Sequence, residues 1–172
     1  MAYPTTIDSF TANVDGVDYV LAADVNELQT AIVAAETALG ISAYTAWTPV
    51  ITQSGVVTHT VTFAGYKLSS TKMCHLIANL VVTGAGTGAN VITISGWPSA
   101  INPYQMGNYA AVGVGAILDT GTNIYPAIAF LYNTATAIQF HWQPTGNYLG
   151  VNPNFALANT DEITLDCLWR IV

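Results

Sequence analysis

The sequence predicts a mainly β protein in which an extended N-terminal arm and one short helix precede an antiparallel β-sandwich of the jelly-roll kind. Three observations predict this fold class. Apolar residues recur at helical spacing in one stretch, residues 24–40. From residue 44 onward, apolar and polar residues alternate with the period of a β-strand. Turn signals rich in glycine, proline and asparagine divide that part into about eight short strands, with nothing helical between them.

The predicted helix has marked ends and an apolar seam. Asp24 and Glu27 have the spacing of a capping box at the start, and Gly40 can take the left-handed conformation that ends a helix. Between these ends, apolar residues are spaced alternately three and four apart, as at positions a and d of a coiled coil. These seam residues are Val25, Leu28, Ile32, Ala35 and Leu39.

A helix of about four turns is only marginally stable alone in water, so the seam must pack against another surface. One alternative is the β domain of the same chain, and the other is a parallel bundle of copies of this helix. We expect the bundle, because the acidic sequence before the helix offers few residues for a separate core. The predicted domains are an anchor arm with a coiled-coil-like helix, residues 1–43, and a β-sandwich head, residues 44–172.

Charged residues are scarce and unevenly distributed. They make up 8% of the chain, where soluble domains usually carry about 25%. Residues 1–40 contain six acidic and no basic residues, whereas residues 41–172 contain four acidic and three basic ones. We expect no nucleic-acid partner, because phosphate contacts need a basic patch. A surface so poor in charge is typical of a protein buried in an assembly or of a rigid extracellular particle.

The sequence carries neither a membrane-span pattern nor a secretory pattern. No stretch of about 18 apolar residues is present, so we expect no membrane span. The N-terminus lacks the basic and apolar regions of a secretory signal. Two thiols, Cys74 and Cys167, have no spacing that demands a disulfide. We expect both to be buried and free, although the sequence leaves their pairing open.

One glycine-rich segment matches a nucleotide-binding pattern. Residues 84–89 read Gly-Ala-Gly-Thr-Gly-Ala, which fits the loose dinucleotide fingerprint. The fingerprint requires a helix immediately afterwards, because the helix N-terminus faces the pyrophosphate. A strand-like sequence follows instead, so we expect a flexible hairpin loop at this position.

The remaining polar residues show no catalytic or metal-binding spacing. His59, His75 and His141 lie in different predicted strands, without the spacing of metal ligands. No G-x-S-x-G nucleophile elbow is present, and we expect Asp161 and Glu162 to be a solvated pair at a turn. We therefore predict that the chain is not an enzyme and has no catalytic residues, cofactor or metal. An active site built between subunits is the remaining enzymatic alternative.

Several aromatic residues lie in or beside predicted loops. Aromatic faces near asparagine and glutamine can stack on sugars, but amphipathic aromatics are also enriched in protein interfaces. Both interpretations stay open: packing in a core or interface, or a surface for a ligand or receptor. The residues are Trp97, Tyr104, Tyr109, Trp142 and Tyr148.

The N-terminal sequence resembles a known group of proteins. Ile7-Asp8-Ser9-Phe10, Asp15-Gly16, the run Leu-Ala-Ala-Asp-Val-Asn-Glu-Leu-Gln over residues 21–29, and Leu39-Gly40 resemble the N-terminal region of small structural proteins of tailed bacteriophages. These include fibre, head-fibre and decoration proteins. The segments Tyr-Thr-Ala-Trp-Thr-Pro at 44–49 and Val-x-Ile-x-x-x-Trp-Pro at 91–98 resemble the β domains attached to such regions.

The resemblance implies a non-enzymatic structural protein of the virion, assembled in the host cytoplasm. It implies a homotrimer, a short fibre or decoration protein, whose partners are other capsid or tail proteins bound through residues 1–40. The trimer rests on the resemblance, because the mixed residues at a and d do not fix the number of helices. The alternative function is a receptor-binding tail-fibre head that recognises a host surface glycan.

Overall fold

A computed structural model describes residues 22–38, 43–69, 72–104, 109–132, 136–142 and 147–171. The chain divides into two compact units, Met1–Ser42 and Ala43–Val172. The predicted extended arm, the linker and the seam residue Leu39 lie outside the described residues. Each unit is described by itself.

The first unit contains one helix, α1, over Ala22–Ala38. A helix therefore forms where the apolar spacing predicted one. Its start differs from the prediction, because α1 begins two residues before Asp24 and places that residue in the first turn. The predicted capping box with Asp24 as the cap is therefore wrong. Within the helix, the Thr30 hydroxyl donates a hydrogen bond to the Asn26 carbonyl one turn earlier, at 2.8 Å.

The second unit, which we call the β body, is built from antiparallel strands. Their bounds are β1 Thr45–Ala46, β2 Val50–Thr52, β3 Val56–Val57, β4 His59–Leu68, β5 Met73–Val82, β6 Thr93–Ser95, β7 Tyr109–Asp119, β8 Asn123–Tyr132, β9 Ile138–Trp142, β10 Asn147–Tyr148 and β11 Glu162–Arg170. A 3₁₀ turn spans Ser99–Ile101. The prediction of a mainly antiparallel β body is confirmed.

The strands form one curled sheet. Its order is β1-β4-β5-β11-β7-β8-β9-β6-β2-β3, with β10 paired to β9. Every pairing between these strands is antiparallel. The longest strands, β4, β5, β7, β8 and β11, lie side by side, and their concave face covers the core.

Strict alternation along the central strands separates the concave face from the outer face. In β11 every second residue is buried, and in the paired strand β5 the buried residues are opposite them. Trp169 is fully buried on the concave face, and its indole N–H donates to the Ile101 carbonyl at 2.8 Å. Cys74 and Cys167 lie on this face too, and the expectation that both are buried and free is confirmed.

The Ala-Gly pair at residues 64–65 is a turn signal in the sequence and predicts a break between two strands. This prediction is wrong, because β4 continues through both residues to Leu68. Gly65 pairs with Ile77 of β5. A Cβ atom at Gly65 would lie 2.8 Å from the Cβ of Tyr44, whose side chain lies over this point of the sheet. The glycine is thus required by a close approach and not by a change of chain direction.

Candidate functional site

The seam of α1 is open to solvent in the described chain. The exposed fractions of Val25, Leu28 and Ile32 are 54%, 51% and 49%. Ala35 is exposed as well. Apolar side chains at a and d spacing that remain exposed provide an unused surface for helix packing. This seam is the first candidate site.

A second apolar surface lies on the outer face of the β body. On β7 and β8, three successive cross-strand pairs are apolar: Val114 with Ile128, Ala116 with Pro126, and Leu118 with Ile124. We call these six residues the outer patch. Val114 and Ile124 are each 61% exposed, although both lie on long strands inside the sheet.

Polar residues border the outer patch. On the neighbouring strand β11, Asp166 pairs with Val114, Thr164 with Ala116, and Glu162 with Leu118. A shallow depression of about 280 Å³ lies along this border, lined by Val114, Gly115, Thr164, Leu165 and Asp166. An apolar centre with a polar rim is the usual composition of a protein interface.

A hydrogen-bonded network on the outer face was missed by the sequence analysis. The Tyr44 hydroxyl and Nδ1 of His75 lie 2.8 Å apart, and Nε2 of His75 lies 2.7 Å from Oδ1 of Asp166. The ring of Tyr44 also packs edge-on against Phe63, and Lys67 Nζ lies 5.1 Å from its centroid. Tyr44 and His75 are 31 residues apart in the sequence, and His75 and Asp166 are 91 residues apart. No local spacing pattern could therefore have predicted this network.

The aromatic residues predicted as a ligand surface occupy different environments. Trp97 is buried in the core, its ring centroid 5.6 Å from that of Trp169. Tyr104 is exposed, with the Arg170 guanidinium 5.6 Å from its ring centroid. The side chain of Tyr109 lies outside the described part of the chain.

The other two members of that set lie on opposite faces of the sheet. Trp142 packs edge-on against Tyr125, a buried residue of the concave face. Tyr148 packs edge-on against His141, which in turn lies against Phe130. The structure therefore does not gather Trp97, Tyr104, Trp142 and Tyr148 into one surface.

Two buried polar side chains hold loops together. Gln53 Nε2 donates to the Phe155 carbonyl at 2.8 Å, and its Oε1 accepts from the Leu157 amide at 2.9 Å. The carboxylate of Asp161 accepts from the Thr120 amide at 2.9 Å and from the Ala158 amide at 2.8 Å. The expectation that Asp161 is a solvated turn residue is thus wrong, because it is 1% exposed and serves as a backbone acceptor.

The glycine-rich segment at 84–89 precedes extended chain and β6, with no helix beginning there. It therefore lacks the helix N-terminus that a dinucleotide site needs. We expected a flexible loop here, but two backbone hydrogen bonds hold this segment against other parts of the β body. The Gly84 amide donates to the Thr58 carbonyl at 3.1 Å, and the Gly86 amide donates to the Leu157 carbonyl at 2.7 Å.

The two thiols and one histidine of the β body have pKa values shifted by burial. Burial raises the pKa of the Cys74 thiol to about 12 and raises the pKa of Cys167 further, so both thiols are held in the unreactive form. Burial lowers the pKa of His141. Among the described residues, no three His, Cys, Asp or Glu side chains come together as metal ligands.

No helix in the described part of the chain combines the length and the apolar character needed to cross a bilayer. Comparisons of the chain with protein-family models, with curated proteins and with solved structures give no match.

Proposed function

We propose that this chain is a non-enzymatic structural protein of a tailed-phage virion, a homotrimeric short fibre or decoration protein. It is assembled in the host cytoplasm and anchored to the capsid or tail through residues 1–40. The single observation that carries the proposal is the exposed seam of α1. Burial of apolar area contributes roughly 25 cal/mol per Å², and a parallel bundle supplies that burial for Val25, Leu28 and Ile32 in every copy at once.

The distribution of charge supports an anchor at one end and an assembled head at the other. All six charged residues among residues 1–40 are acidic, whereas the rest of the chain is nearly neutral. An acidic arm can bind a basic surface on another virion protein, and a nearly neutral β body can pack closely against copies of itself. The head in this proposal is of the jelly-roll kind.

The role of the seam is tested with two matched variants of the full chain. Ile32→Asp places a charge in the seam. Val33→Asp places the same charge one residue later, at a position of similar exposure that faces away from the seam. We expect Ile32→Asp to raise the dissociation constant of the trimer at least about tenfold, and Val33→Asp to change it far less. Equal effects of the two substitutions in sedimentation equilibrium would contradict the bundle.

Membership of the virion is tested on particles. Phage particles produced by cells that carry this sequence are banded by density and analysed by quantitative mass spectrometry. We expect this chain at a copy number per particle that is a multiple of three. Its absence from banded particles that contain the other structural proteins would refute the proposal.

A receptor-binding head is the second candidate, and the exposed ring of Tyr104 favours it. This ring is 52% exposed and lies against Arg170, so one face can stack on a sugar while the guanidinium binds hydroxyl groups. Tyr104→Ala should then abolish binding to host cells without changing the melting temperature. Trp97→Ala is unsuitable for this test, because Trp97 belongs to the core.

A further inference from the structure

We propose that the outer patch on β7 and β8 is the surface through which the β bodies of the assembled protein pack on one another, with a second copy of this chain as the occupant. The proposal rests on the self-association in the proposed function and assigns a second interface, separate from the helix seam. It names the patch residues Val114, Ala116, Leu118, Ile124, Pro126 and Ile128.

The composition of the outer patch indicates that another protein surface buries it in the assembled protein. An antiparallel sheet with one face on the core normally presents polar residues on the other face. Here all six members of three consecutive cross-strand pairs are apolar, and Val114 and Ile124 are mostly exposed. A contiguous apolar surface with a polar border is characteristic of a site of protein association.

The path of the chain identifies a second copy as the occupant. The chain enters the β body at Tyr44, whose ring lies on the outer face, bonded through His75 to Asp166. Asp166 is directly opposite Val114, so the point of entry and the outer patch share one face of the sheet within a few strand spacings of about 4.8 Å. In every copy, the chain therefore enters the β body on the face that carries the outer patch.

The length of the tether makes a modest patch sufficient. Five peptide steps join Ala38, the last residue of α1, to Ala43, and they span at most about 19 Å when extended. A short tether raises the effective concentration of neighbouring β bodies to about the millimolar range. An interface too weak to form between free β bodies can then form inside the trimer.

The charges around the outer patch disfavour other occupants. The patch has no charged residue, and its border on β11 contains Glu162 and Asp166. This acidic border repels nucleic acid, anionic lipid headgroups and acidic glycans. One oxygen of Asp166 already lies 2.7 Å from Nε2 of His75 in the same copy.

Cysteine labelling of the full chain tests the proposal. The native thiols do not interfere, because Cys74 and Cys167 are buried and burial raises the pKa of Cys74 to about 12. Val114→Cys places a thiol in the outer patch. Val56→Cys is the matched control, since Val56 is a strand valine of similar exposure (73%) on β3, at the far edge of the sheet.

We expect the thiol at position 114 to react with a maleimide at least about tenfold more slowly than the thiol at position 56, under conditions in which the chain is trimeric. Adding Ile32→Asp and diluting to monomer should bring the two rates together, because the two positions are similarly exposed in the single chain. Equal rates in the trimer would overturn the proposal. Ile124→Cys repeats the measurement at a second patch position.

The mass of the same samples separates this proposal from the proposed function. A trimer in which both thiols react equally fast refutes the outer patch and leaves the helix bundle standing. A monomer at all concentrations refutes both. Slow reaction at position 114 in a trimer that is absent from virions supports the outer patch and refutes the virion role.

Discussion

Gln53 shows how much of the β body depends on single buried polar side chains. It is 1% exposed, and its amide group bonds the backbone of two other segments, at Asn90 and at Phe155 to Leu157. Its position in a Thr-Gln-Ser-Gly sequence suggests only a turn. Asn90 is 37 residues away, and Phe155 and Leu157 are 102 and 104 residues away, so no local pattern in the sequence indicates this role.

Replacing Gln53 by alanine should destabilise the protein by about 1–3 kcal/mol, because the buried Leu157 amide and the partly buried Phe155 carbonyl lose their hydrogen-bond partner. Urea unfolding at a fixed protein concentration measures this loss. Gln29→Ala, on the exposed surface of α1, is the control and should change stability by less than about 0.5 kcal/mol. Similar unfolding midpoints for the two variants would show that the Gln53 bonds contribute little.

His141 should make the stability of the protein sensitive to mild acid. Burial lowers the pKa of His141 below its ordinary value of 6.5, so the unfolded chain takes up this proton more readily than the folded one. The resulting stabilisation is present above the unfolded pKa and is lost as the pH falls towards the folded pKa. Between about pH 7.5 and pH 5.5, the melting temperature of His141→Gln should therefore fall less than that of the native chain. Parallel pH dependence in the two proteins would contradict this.

Among the elements, β7 contains two glycines that its neighbours constrain closely. Gly113 adjoins a register shift between β7 and β8, and a Cβ there would collide with the Asp166 carbonyl of β11. At Gly115 a Cβ would meet the ring of Phe140 and the Thr164 carbonyl. The two glycines let β7 approach β11 and the core closely.

Gly113→Ala should cost about 1–3 kcal/mol of stability, because backbone of β11 would have to move. Gly55→Ala is the matched control, since a Cβ at Gly55 meets nothing within 4 Å. Thermal unfolding of both variants, followed by near-ultraviolet circular dichroism of the buried tryptophans, gives the comparison. Equal melting temperatures of the two variants would show that β11 can move to accommodate a Cβ at position 113 without loss of stability.

The sequence predicted elements well where a periodic pattern was long. The period-two pattern from residue 44 onward predicts the β body, and the helical spacing over residues 24–40 predicts α1, which spans Ala22–Ala38. The predictions were wrong where one residue type is compatible with two different structural roles. The sequence predicts a turn at Gly65, but this glycine accommodates the close approach of Tyr44. The sequence also predicts a solvated Asp161, but its carboxylate accepts two backbone hydrogen bonds.

Of the two candidate surfaces, the sequence predicts the helix seam but not the outer patch. The seam is defined by local spacing, so the sequence alone predicts the helix that carries Val25, Leu28, Ile32 and Ala35. The outer patch depends on the register of β7 against β8 and on which face of the sheet covers the core. Neither can be read from a strand's own alternation, because Val114 and Ile124 resemble core residues until the glycines of β7 are placed inward.

At the scale of the whole molecule, the chain has an acidic N-terminal region, a helix with an exposed apolar seam, and a nearly neutral β body with an apolar outer patch. Charged residues make up only 8% of the chain, and the described part contains two apolar surfaces that solvent would otherwise hydrate. In the proposed trimer, self-association would cover both surfaces, and a protein assembled in this way would need few surface charges.

The mass of the full chain in solution tests this account most directly. Sedimentation equilibrium over a range of micromolar concentrations should give three times 18.1 kDa, the mass of one chain. The trimer should persist at high salt, because apolar contacts and not ion pairs hold it together. A mass of 18.1 kDa at every concentration would contradict the account, since the seam and the outer patch would then be exposed without a partner.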